Sequence, residues 1–425
     1  MNNSTAFKLA QLPANVLRVG VDPHKQQHAA VICTEQAQVL SKFKVTNDRE
    51  GFEELRRRCE QFRAQAGATG VIFAIEAGAH YWRNLGYFLE AHGDTFRLVN
   101  PLTLKRQRDG EDLTRRKTDY RDAQMAAELL GRGQYTWTHL PQGRYAELRQ
   151  AHETYQQLVV EIARVKNQLT TALDELFPEF TQVFKGLDGA TALTILRTCP
   201  NPAQVARLTE DEFIERLRAA HGPHRLMRAK VSALHRQAAN TVGIQACGEA
   251  LSLEVQLLAE RLSVMEQQRQ RAETYLTTLF YQFEECASLL SIRGLGAVNA
   301  AGLLAHLGDI RHFSHGKQFA KLAGIIPLEN SSAGHHSART PMSKKGRRGL
   351  RAVLWRAVVS LIRHNEVFAH YVERLCTRDP KDHPLKKREA LGAAMNKLLR
   401  IVYALLSKRE LFDPHVQFRQ PPAVG

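Results

Sequence analysis

The N-terminal part of the chain alternates short apolar runs with amphipathic stretches, and this alternation constrains the fold more than any other feature. Apolar and β-branched runs predict strands at 16–22, 28–35, 38–46, 70–78 and 95–101. A helical periodicity of apolar residues predicts helices at 50–67 and 81–93. Three strands, a helix, a strand, a helix and a strand together predict an α/β domain.

Four acidic residues stand at positions that suggest chemistry. Asp22 and Glu76 end predicted strands, and Asp119 and Asp122 lie three residues apart in KTDYRDAQMAAELL, which reads as the start of a helix. Residues i and i+3 are neighbours on a helix, so the two carboxylates repel unless positive charge lies between them. The sequence leaves three alternatives open: helix capping, ion pairs with Arg121 and its neighbours, or a metal ion held beside a phosphate.

The order of the predicted elements resembles that of the RNase H-like fold of the RuvC type. In that fold, the positions of the four acidic residues meet at the carboxyl end of the central strands. Hard oxygen ligands of this kind suit Mg²⁺, and two such ions clamp the attacking and leaving oxygens of a phosphodiester. The resemblance therefore implies a Mg²⁺ site.

The chain is strongly basic, with a formal net charge of +16 and a pI of about 9.7. Clustered positive charge indicates a polyanionic partner, although ribosomal, membrane-surface and nucleic-acid-binding proteins share this balance. One cluster directly precedes Asp119 and consists of Lys105, Arg106, Arg108, Arg115, Arg116 and Lys117. We expect it to attract the phosphate backbone.

The second basic cluster lies in 330–365, which holds eight Lys or Arg residues and no acidic residue. We predict that these side chains contact backbone phosphates without reading sequence: Arg339, Lys344, Lys345, Arg347, Arg348 and Arg351. A solvated basic face is the alternative. Trp355, at helical spacing from Arg351, is expected in the core.

Cysteine usage and hydropathy indicate the compartment. The six cysteines form no C-x-x-C pair, so reduced thiols are expected rather than a disulfide framework or a zinc site. The apolar runs are too short or too interrupted to span a bilayer, and the N-terminus lacks the features of a signal peptide. We expect a cytoplasmic protein with no membrane partner.

The middle of the chain carries two heptad patterns, from Leu148 to Leu176 and from Val255 to Leu279, the second with Arg269 on its seam. They predict long helices that pack within the chain or between subunits, and we favour some dimer contact because a long exposed seam is costly unless it is covered. We therefore predict three domains: 1–140 (α/β), 141–285 (helical, coiled-coil-like) and 286–425 (mostly α).

The last segment begins with SIRGLGAVNAAGLLAHLGD, where Gly294 and Gly296 predict the tight turn of a helix–hairpin–helix. The amides of this turn and the following helix N-terminus could hold a backbone phosphate. The loop ENSSAGHHSARTP follows and contains Ser331 and Ser332. Serines in such a loop are usually turn formers. The tail after Asp413 is expected to be disordered.

The chain resembles the DEDD-type insertion-sequence transposases, which include the Piv-like invertases. VGVDPHKQQHAAVI, AIEAGAHYW and KTDYRDAQMAAELL are similar to the RuvC-like domain of that family. The run from LLSIRGLGAVNAAGLLAHLGD to the serine loop, followed by MSKKGRRGLRAVLWRAV, is similar to its C-terminal transposase domain.

This resemblance implies a serine recombinase that cuts and rejoins DNA through a serine–DNA phosphodiester. It implies that Mg²⁺ is bound by Asp22, Glu76, Asp119 and Asp122, and that the nucleophile is Ser332, with Ser331 second. It also implies an element-encoded guide RNA and action at the bacterial nucleoid. Strand exchange at two sites implies a homo-oligomer, a dimer or a tetramer.

The sequence is also compatible with two other functions. A RuvC-like nuclease would hydrolyse structured DNA with a metal-bound water and would need no serine. An architectural nucleic-acid-binding protein would keep only a degenerate site, and it would gain nothing from unpaired negative charges beside phosphate.

Overall fold

A five-stranded mixed sheet forms the centre of the N-terminal part of the chain in the computed structural model. Its order is β3-β2-β1-β4-β5, with β1 antiparallel to β2 and β2 to β3, while β1, β4 and β5 run parallel. The strands are β1 (Val16–Asp22), β2 (Gln27–Cys33), β3 (Val39–Thr46), β4 (Gly70–Glu76) and β5 (Thr95–Val99). The predicted α/β class is confirmed.

The structure describes residues 3–111, 118–136, 140–222, 225–327, 331–332, 335–336, 342–379 and 384–418. The chain divides into two compact units, Met1–Leu140 and Pro141–Gly425. The three-domain division at 140/141 and 285/286 stays a prediction.

Helices cover the sheet of the first unit because the central strands are apolar on both faces, as in parallel α/β sheets. Asp48 caps the second helix by accepting a hydrogen bond from the Gly51 amide at 2.8 Å. Phe52, Leu55 and Cys59 of that helix are buried. The helices of this unit are α1 (Asn3–Leu9), α2 (Arg49–Gln65), α3 (Trp82–Ala91), α4 (Pro101–Glu111) and α5 (Asp119–Gly131).

The second unit is helical, apart from a two-residue strand pair, β6 (Ser331–Ser332) and β7 (His335–His336), among its described residues. Its first helices are α6 (Gly143–Leu176), α7 (Phe180–Val183), α8 (Ala190–Thr198), α9 (Pro202–Ala206), α10 (Glu210–His221) and α11 (Arg228–Ala238). The remainder are α12 (Gly248–Phe280), α13 (Glu285–Leu290), α14 (Ala297–Leu307), the 3₁₀ turn Ile310–His312, α15 (Lys317–Ala323), α16 (Arg348–His364), α17 (Glu366–Thr377), α18 (Lys387–Lys408) and α19 (Pro414–Gln417).

The two heptad segments form α6 and α12, which pack against each other within the chain. Ion pairs join them, including Lys166 to Glu266 at 2.9 Å. Arg269 on the predicted seam contacts Glu266 and Glu273 of its own helix, so its charge is neutralised locally. Both long helices contribute buried residues to two apolar cores of the second unit.

The structure differs from two expectations, for Trp355 and for part of the C-terminal tail. Trp355 is 40% exposed, because α16 buries the stripe formed by Leu350, Val353, Leu354 and their helical neighbours and turns Trp355 away from it. The predicted disorder after Asp413 is wrong for 414–418, because Pro414–Gln417 form α19 and the ring of Phe418 packs edge-to-face on Phe368 at 5.2 Å between ring centroids. Residues 419–425 of that tail lie outside the described residues.

One described helix, α18, is long and apolar enough to cross a membrane by length and composition alone. Its apolar residues, among them Leu398, Leu399 and Val402, are buried in the same core as α14 and α16. Packing within the fold therefore accounts for its composition.

Candidate metal centre and serine loop

The strand-end acids lie next to each other at the carboxyl edge of the sheet. β1 and β4 are parallel neighbours, and the register that pairs Val21 with Ile75 leaves Asp22 and Glu76 at adjacent strand ends. Asp22 is only 6% exposed, and Glu76 is half-buried. A buried carboxylate at this edge needs compensating positive charge.

Helix α5 brings the other two acids to the same edge. Its N-cap is Thr118, whose hydroxyl accepts a hydrogen bond from the Arg121 amide at 3.2 Å. Asp119 is therefore the first helical residue, not the cap, and Asp122 follows one turn later. Asp122 is 2% exposed, whereas the Asp119 side chain is 37% exposed.

A glycine sets how closely α5 approaches β1. A Cβ atom placed on Gly20 would lie 1.7 Å from the Ala123 carbonyl oxygen of the helix, so only glycine fits there. Ala123 directly follows Asp122 in the chain. The close approach therefore holds Asp122 against the strand that ends in Asp22.

The acids form two groups that share Asp22. Asp22, Glu76 and Asp122 offer carboxylate oxygens that all lie within 4.8 Å of one another. Asp22, Asp119 and His24 form a second group within the same limit. The structure thus brings the four predicted acids together around Asp22, and it adds an imidazole.

Three positively charged or protonatable groups contact these carboxylates, and site prediction from the sequence missed their roles. His24 Nε2 lies 3.1 Å from Asp22 Oδ2 and 3.4 Å from Asp119 Oδ1. Lys44 Nζ lies 2.8 Å from Asp119 Oδ2, and Arg108 Nη1 lies 3.1 Å from Asp122 Oδ2. Asp119 and Asp122 therefore form ion pairs with Lys44 and Arg108, two partners that the sequence did not indicate.

Burial and repulsion act together on Asp22. Burial raises the pKa of its carboxyl group, the nearby His24 lowers it, and the charges of Asp122 and Asp119 raise it further. The hydrogen bond from Lys44 lowers the pKa of the more exposed Asp119. A divalent cation would offset the repulsion around Asp22, and the donor set of carboxylates with one imidazole suits such an ion. The residues present therefore fit a metal.

The segment that carries the candidate serines is fastened at both ends. The Lys344 amide donates to the Gly324 carbonyl at 2.9 Å, and the Ser343 amide donates to the Ile326 carbonyl at 2.9 Å. Gly324 has a φ of +67°, and a Cβ on Gly346 would lie 2.3 Å from the Gly324 amide nitrogen. These glycines allow the two backbone strands to meet, and we call the pairing of 324–327 with 342–346 the loop neck.

Beyond the neck, the structure describes only the backbone pairing of Ser331 with His336 and of Ser332 with His335. Arg339 lies outside the described residues, as do Arg115, Arg116 and Lys117 of the first basic cluster.

The described basic residues divide into two kinds. Lys105, Arg106, Lys344, Lys345 and Arg348 are exposed. Arg347 and Arg351 instead bond to the main chain: Arg347 donates to the His306 carbonyl, and Arg351 Nη1 donates to the Ala323 and Gly346 carbonyls, each at 2.9 Å. These two arginines therefore attach the start of α16 to α14 and to the loop neck.

The G-L-G turn connects α13 to α14. Gly294 has a φ of +91°, and Gly296 precedes the first residue of α14. The Gly294 carbonyl accepts a hydrogen bond from the Ser360 hydroxyl at 2.9 Å, which ties the turn to α16. The assignment of a helix–hairpin–helix stays a prediction.

Comparisons with known proteins find similarity to the transposases of insertion sequences. The family model for DEDD transposases of IS110 matches residues 19–178, and the model described as the transposase IS116/IS110/IS902 family matches residues 286–373. A Streptomyces coelicolor protein whose name assigns it as the transposase of the IS117 mini-circle is 26% identical over 410 residues, covering 94% of this chain and 96% of that protein.

Two further relatives match a smaller part of this chain. The transposase for insertion sequence element IS1111A of Coxiella burnetii is 29% identical over 133 residues, 30% of this chain and 35% of that protein. The pilin gene-inverting protein of Moraxella bovis is 29% identical over 132 residues, 31% of this chain and 39% of that protein.

The fold, the carboxylate groups and these matches define a DNA-processing enzyme that acts by phosphoryl transfer. The chain belongs to the IS110 family of DEDD transposases. The resemblance predicted from the sequence is thereby confirmed at the level of the family.

Proposed function

We propose that this transposase cuts and rejoins DNA through a serine–DNA phosphodiester, with Mg²⁺ bound by its carboxylates and an RNA encoded by the element as guide. The observation that carries the proposal is the convergence of four carboxylates around Asp22 at the carboxyl edge of the sheet. The element order of the first unit further supports an RNase H-like fold of the RuvC type.

Asp22, Glu76, Asp119 and Asp122 would hold the metal. When bound, Mg²⁺ would supply positive charge that stabilises the attacking and leaving oxygens of a phosphodiester. His24, Lys44 and Arg108 hold the carboxylates in place through the contacts at 3.1, 2.8 and 3.1 Å. The positive charges of Lys44 and Arg108 also lower the repulsion within the group.

Ser332 is the proposed nucleophile, with Ser331 second. Its oxygen attacks a DNA phosphorus and forms a P–Oγ bond, while the bond from that phosphorus to the leaving deoxyribose oxygen breaks. The serine proton leaves to solvent, and the leaving oxygen takes up a proton. In the joining step a deoxyribose hydroxyl attacks the phosphoserine and the P–Oγ bond breaks, which restores the serine. Each step exchanges one ester bond for another.

Nucleic acid would be held by the basic residues. The exposed side chains of Lys105, Arg106, Lys344, Lys345 and Arg348 are free to approach phosphates. Arg115, Arg116, Lys117 and Arg339 are assigned the same role from the sequence alone. Gly294 and Gly296 would place backbone amides at the start of α14 beside a phosphate.

A homo-oligomer, at least a dimer, would be needed to exchange strands at two DNA sites. Light scattering of the purified protein with its nucleic acid tests this, and a monomeric mass under active conditions would contradict it. Ribonuclease treatment before DNA is added tests the guide RNA. We expect it to abolish strand transfer, and full activity after treatment would contradict RNA guidance.

The proposal is tested by a search for a covalent protein–DNA adduct. The wild-type protein is purified with RNA from the element's flanking region, mixed with junction DNA and Mg²⁺, denatured, and examined for attached DNA. Ser332→Ala and Asp119→Ala are each expected to abolish the adduct. If Ser331→Ala abolishes it instead, Ser331 is the nucleophile.

Ser343→Ala is the matched control, because Ser343 lies at the loop neck and contributes only its backbone amide to the described contacts. It should form the adduct as the wild type does. DNA cleaved without an adduct, with both serine variants active, would contradict the proposal and indicate a metal-dependent nuclease. Binding without any cleavage would indicate an architectural protein.

A further inference from the structure

A basic surface on α17 and α18 includes none of the nucleic-acid contacts predicted from the sequence. It consists of Arg374 on α17 and Lys397 and Arg400 on α18, beside the rings of Tyr371 and Phe418. We call these five residues the α17–α18 patch. Arg374 and Arg400 are exposed, while Lys397 is half-buried.

Lys397 and Arg400 lie three residues apart on α18, so their side chains are neighbours on the surface of this helix. Burial lowers the pKa of Lys397, and the charges of Arg400 and Arg374 lower it further. Both arginines also act on the Tyr371 hydroxyl, whose pKa is raised by burial and lowered by their charge. The patch is therefore a true concentration of positive charge.

Aromatic rings keep this charge in place. Lys397 Nζ lies 4.7 Å from the centroid of the Phe418 ring, and Arg374 Cζ lies 5.8 Å from that of Tyr371. The two rings contact each other edge-to-face at 5.7 Å. Cation–π contacts of this kind hold long basic side chains in fixed positions.

The two arginines of the patch do not pair with the acids of their own helices. Glu389, the one acid of α18, accepts a hydrogen bond from the Lys386 amide at the helix start, and eight residues separate it from Lys397, about 12 Å along the axis. Glu373 adjoins Arg374 in sequence, but i and i+1 side chains do not face each other on a helix. Among the described residues, neither Arg374 nor Arg400 forms an ion pair within 4.0 Å.

We propose that the α17–α18 patch binds the phosphate backbone of duplex DNA. The two exposed guanidiniums of Arg374 and Arg400 supply donors for phosphate oxygens, and a polyanion relieves their repulsion with the nearby Lys397. Because such contacts carry no base information, the patch fixes the position of the DNA rather than its sequence. The proposal rests on the DNA-processing activity of the family, not on the serine reaction.

The test measures binding of duplex DNA to the full-length protein at several salt concentrations, without divalent metal so that no cleavage occurs. Arg374→Gln/Arg400→Gln should lower the magnitude of the slope of log K against log salt by about 1.8, since each phosphate contact contributes about 0.9. Arg374→Lys/Arg400→Lys keeps both charges and should keep the slope.

The matched control is Arg164→Gln/Arg271→Gln, which removes two charges from exposed positions on α6 and α12. It should leave the slope unchanged, and all variants should unfold at the wild-type temperature. An equal loss in the control would show that net charge alone matters and would overturn the proposal. An unchanged slope in the patch variant, or a change with an RNA probe only, would also overturn it.

Discussion

Asp22 is the residue on which both carboxylate groups depend. It is buried, it belongs to each group, and two further acids raise its pKa together with burial itself. Without a metal, its negative charge therefore opposes folding. With a metal, the same charge binds the ion.

We predict that Asp22→Asn is more stable than the wild type in EDTA at neutral pH. Because the folded state raises the pKa of Asp22 above its ordinary 3.8, deprotonation destabilises the fold as the pH rises through that range. Removing the charge should raise the free energy of unfolding by about 1 kcal/mol, and this raises the unfolding temperature by a few degrees. Thermal unfolding with and without EDTA measures this.

Adding Mg²⁺ or Mn²⁺ should stabilise the wild type and leave Asp22→Asn unchanged. Asp94→Asn serves as the control, because Asp94 is paired with Arg56 and belongs to neither acidic group. It should lose stability in EDTA and still respond to metal. A lower unfolding temperature for Asp22→Asn in EDTA would contradict the electrostatic account of this residue.

Arg351 and Arg348 should behave differently, although sequence alone assigns both to phosphate. Arg351 donates to two main-chain carbonyls at the loop neck, so Arg351→Gln should lower the free energy of unfolding by about 1–3 kcal/mol. The salt dependence of DNA binding by Arg351→Gln should equal that of the wild type. Chemical denaturation and binding titrations measure the two quantities.

Arg348→Gln should give the opposite pattern, with normal stability and a salt slope about 0.9 smaller in magnitude, because its side chain is exposed. If Arg351→Gln weakens the salt slope without loss of stability, Arg351 is a phosphate contact and the anchoring role is wrong.

The sequence indicated the acids of the site but not the cations beside them. Asp22 and Glu76 are visible as charges that end apolar strands. His24 follows Asp22 by two residues, and this proximity was a usable signal. Lys44 and Arg108 gave no such signal, because an exposed strand lysine and one arginine within a basic run look like ordinary surface residues. Their pairing with Asp119 and Asp122 can be recognised only when the positions of the sheet and of α5 are known.

At the scale of elements, the packing of α5 on β1 determines the site. Gly20 allows the helix to approach, and Thr118 caps its first turn. The sequence predicted that a helix begins near Asp119. It could not show that Gly20 is needed, because that depends on a contact with a helix about a hundred residues later in the chain.

Gly20→Ala should therefore weaken both stability and metal binding. The added Cβ would overlap the Ala123 carbonyl, so α5 must shift and carry Asp119 and Asp122 with it. We expect a loss of about 1–3 kcal/mol in the free energy of unfolding. Denaturant unfolding and Mn²⁺ titration measure the two effects.

Gly110→Ala is the matched control, since an added Cβ there meets nothing within 4 Å and the position is helical. It should be neutral or stabilising by up to about 1 kcal/mol. Normal metal affinity in Gly20→Ala would show that the position of α5 does not determine the site.

The strands and the long helices were predictable because their periodicity is strong over many residues. The predicted strand 28–35 ends at Cys33 because Thr34 and Gln38 close a turn in which Ala37 has a positive φ. The loop neck was not predictable, since it depends on glycines and backbone bonds between 324–327 and 342–346. The prediction that Trp355 lies in the core was wrong because helical spacing alone does not say which face of α16 is buried.

At the scale of the whole molecule, the chain combines an α/β unit that carries four converging acids with a helical unit that carries the serine loop and exposed basic residues. Net positive charge predicted a polyanionic partner, and the family establishes that its relatives process DNA. Composition could not distinguish a nuclease from a transposase, because both need the same carboxylates and the same basic surface.

The measurement that tests the central claim most directly is metal-dependent cleavage of junction DNA by Asp22→Asn and Asp94→Asn, compared with the wild type over a range of Mg²⁺ concentrations. If the carboxylates around Asp22 perform phosphoryl transfer, Asp22→Asn should bind DNA normally and cleave none at any Mg²⁺ concentration, while Asp94→Asn cleaves as the wild type does. Cleavage by Asp22→Asn at a rate near that of the wild type would contradict the claim.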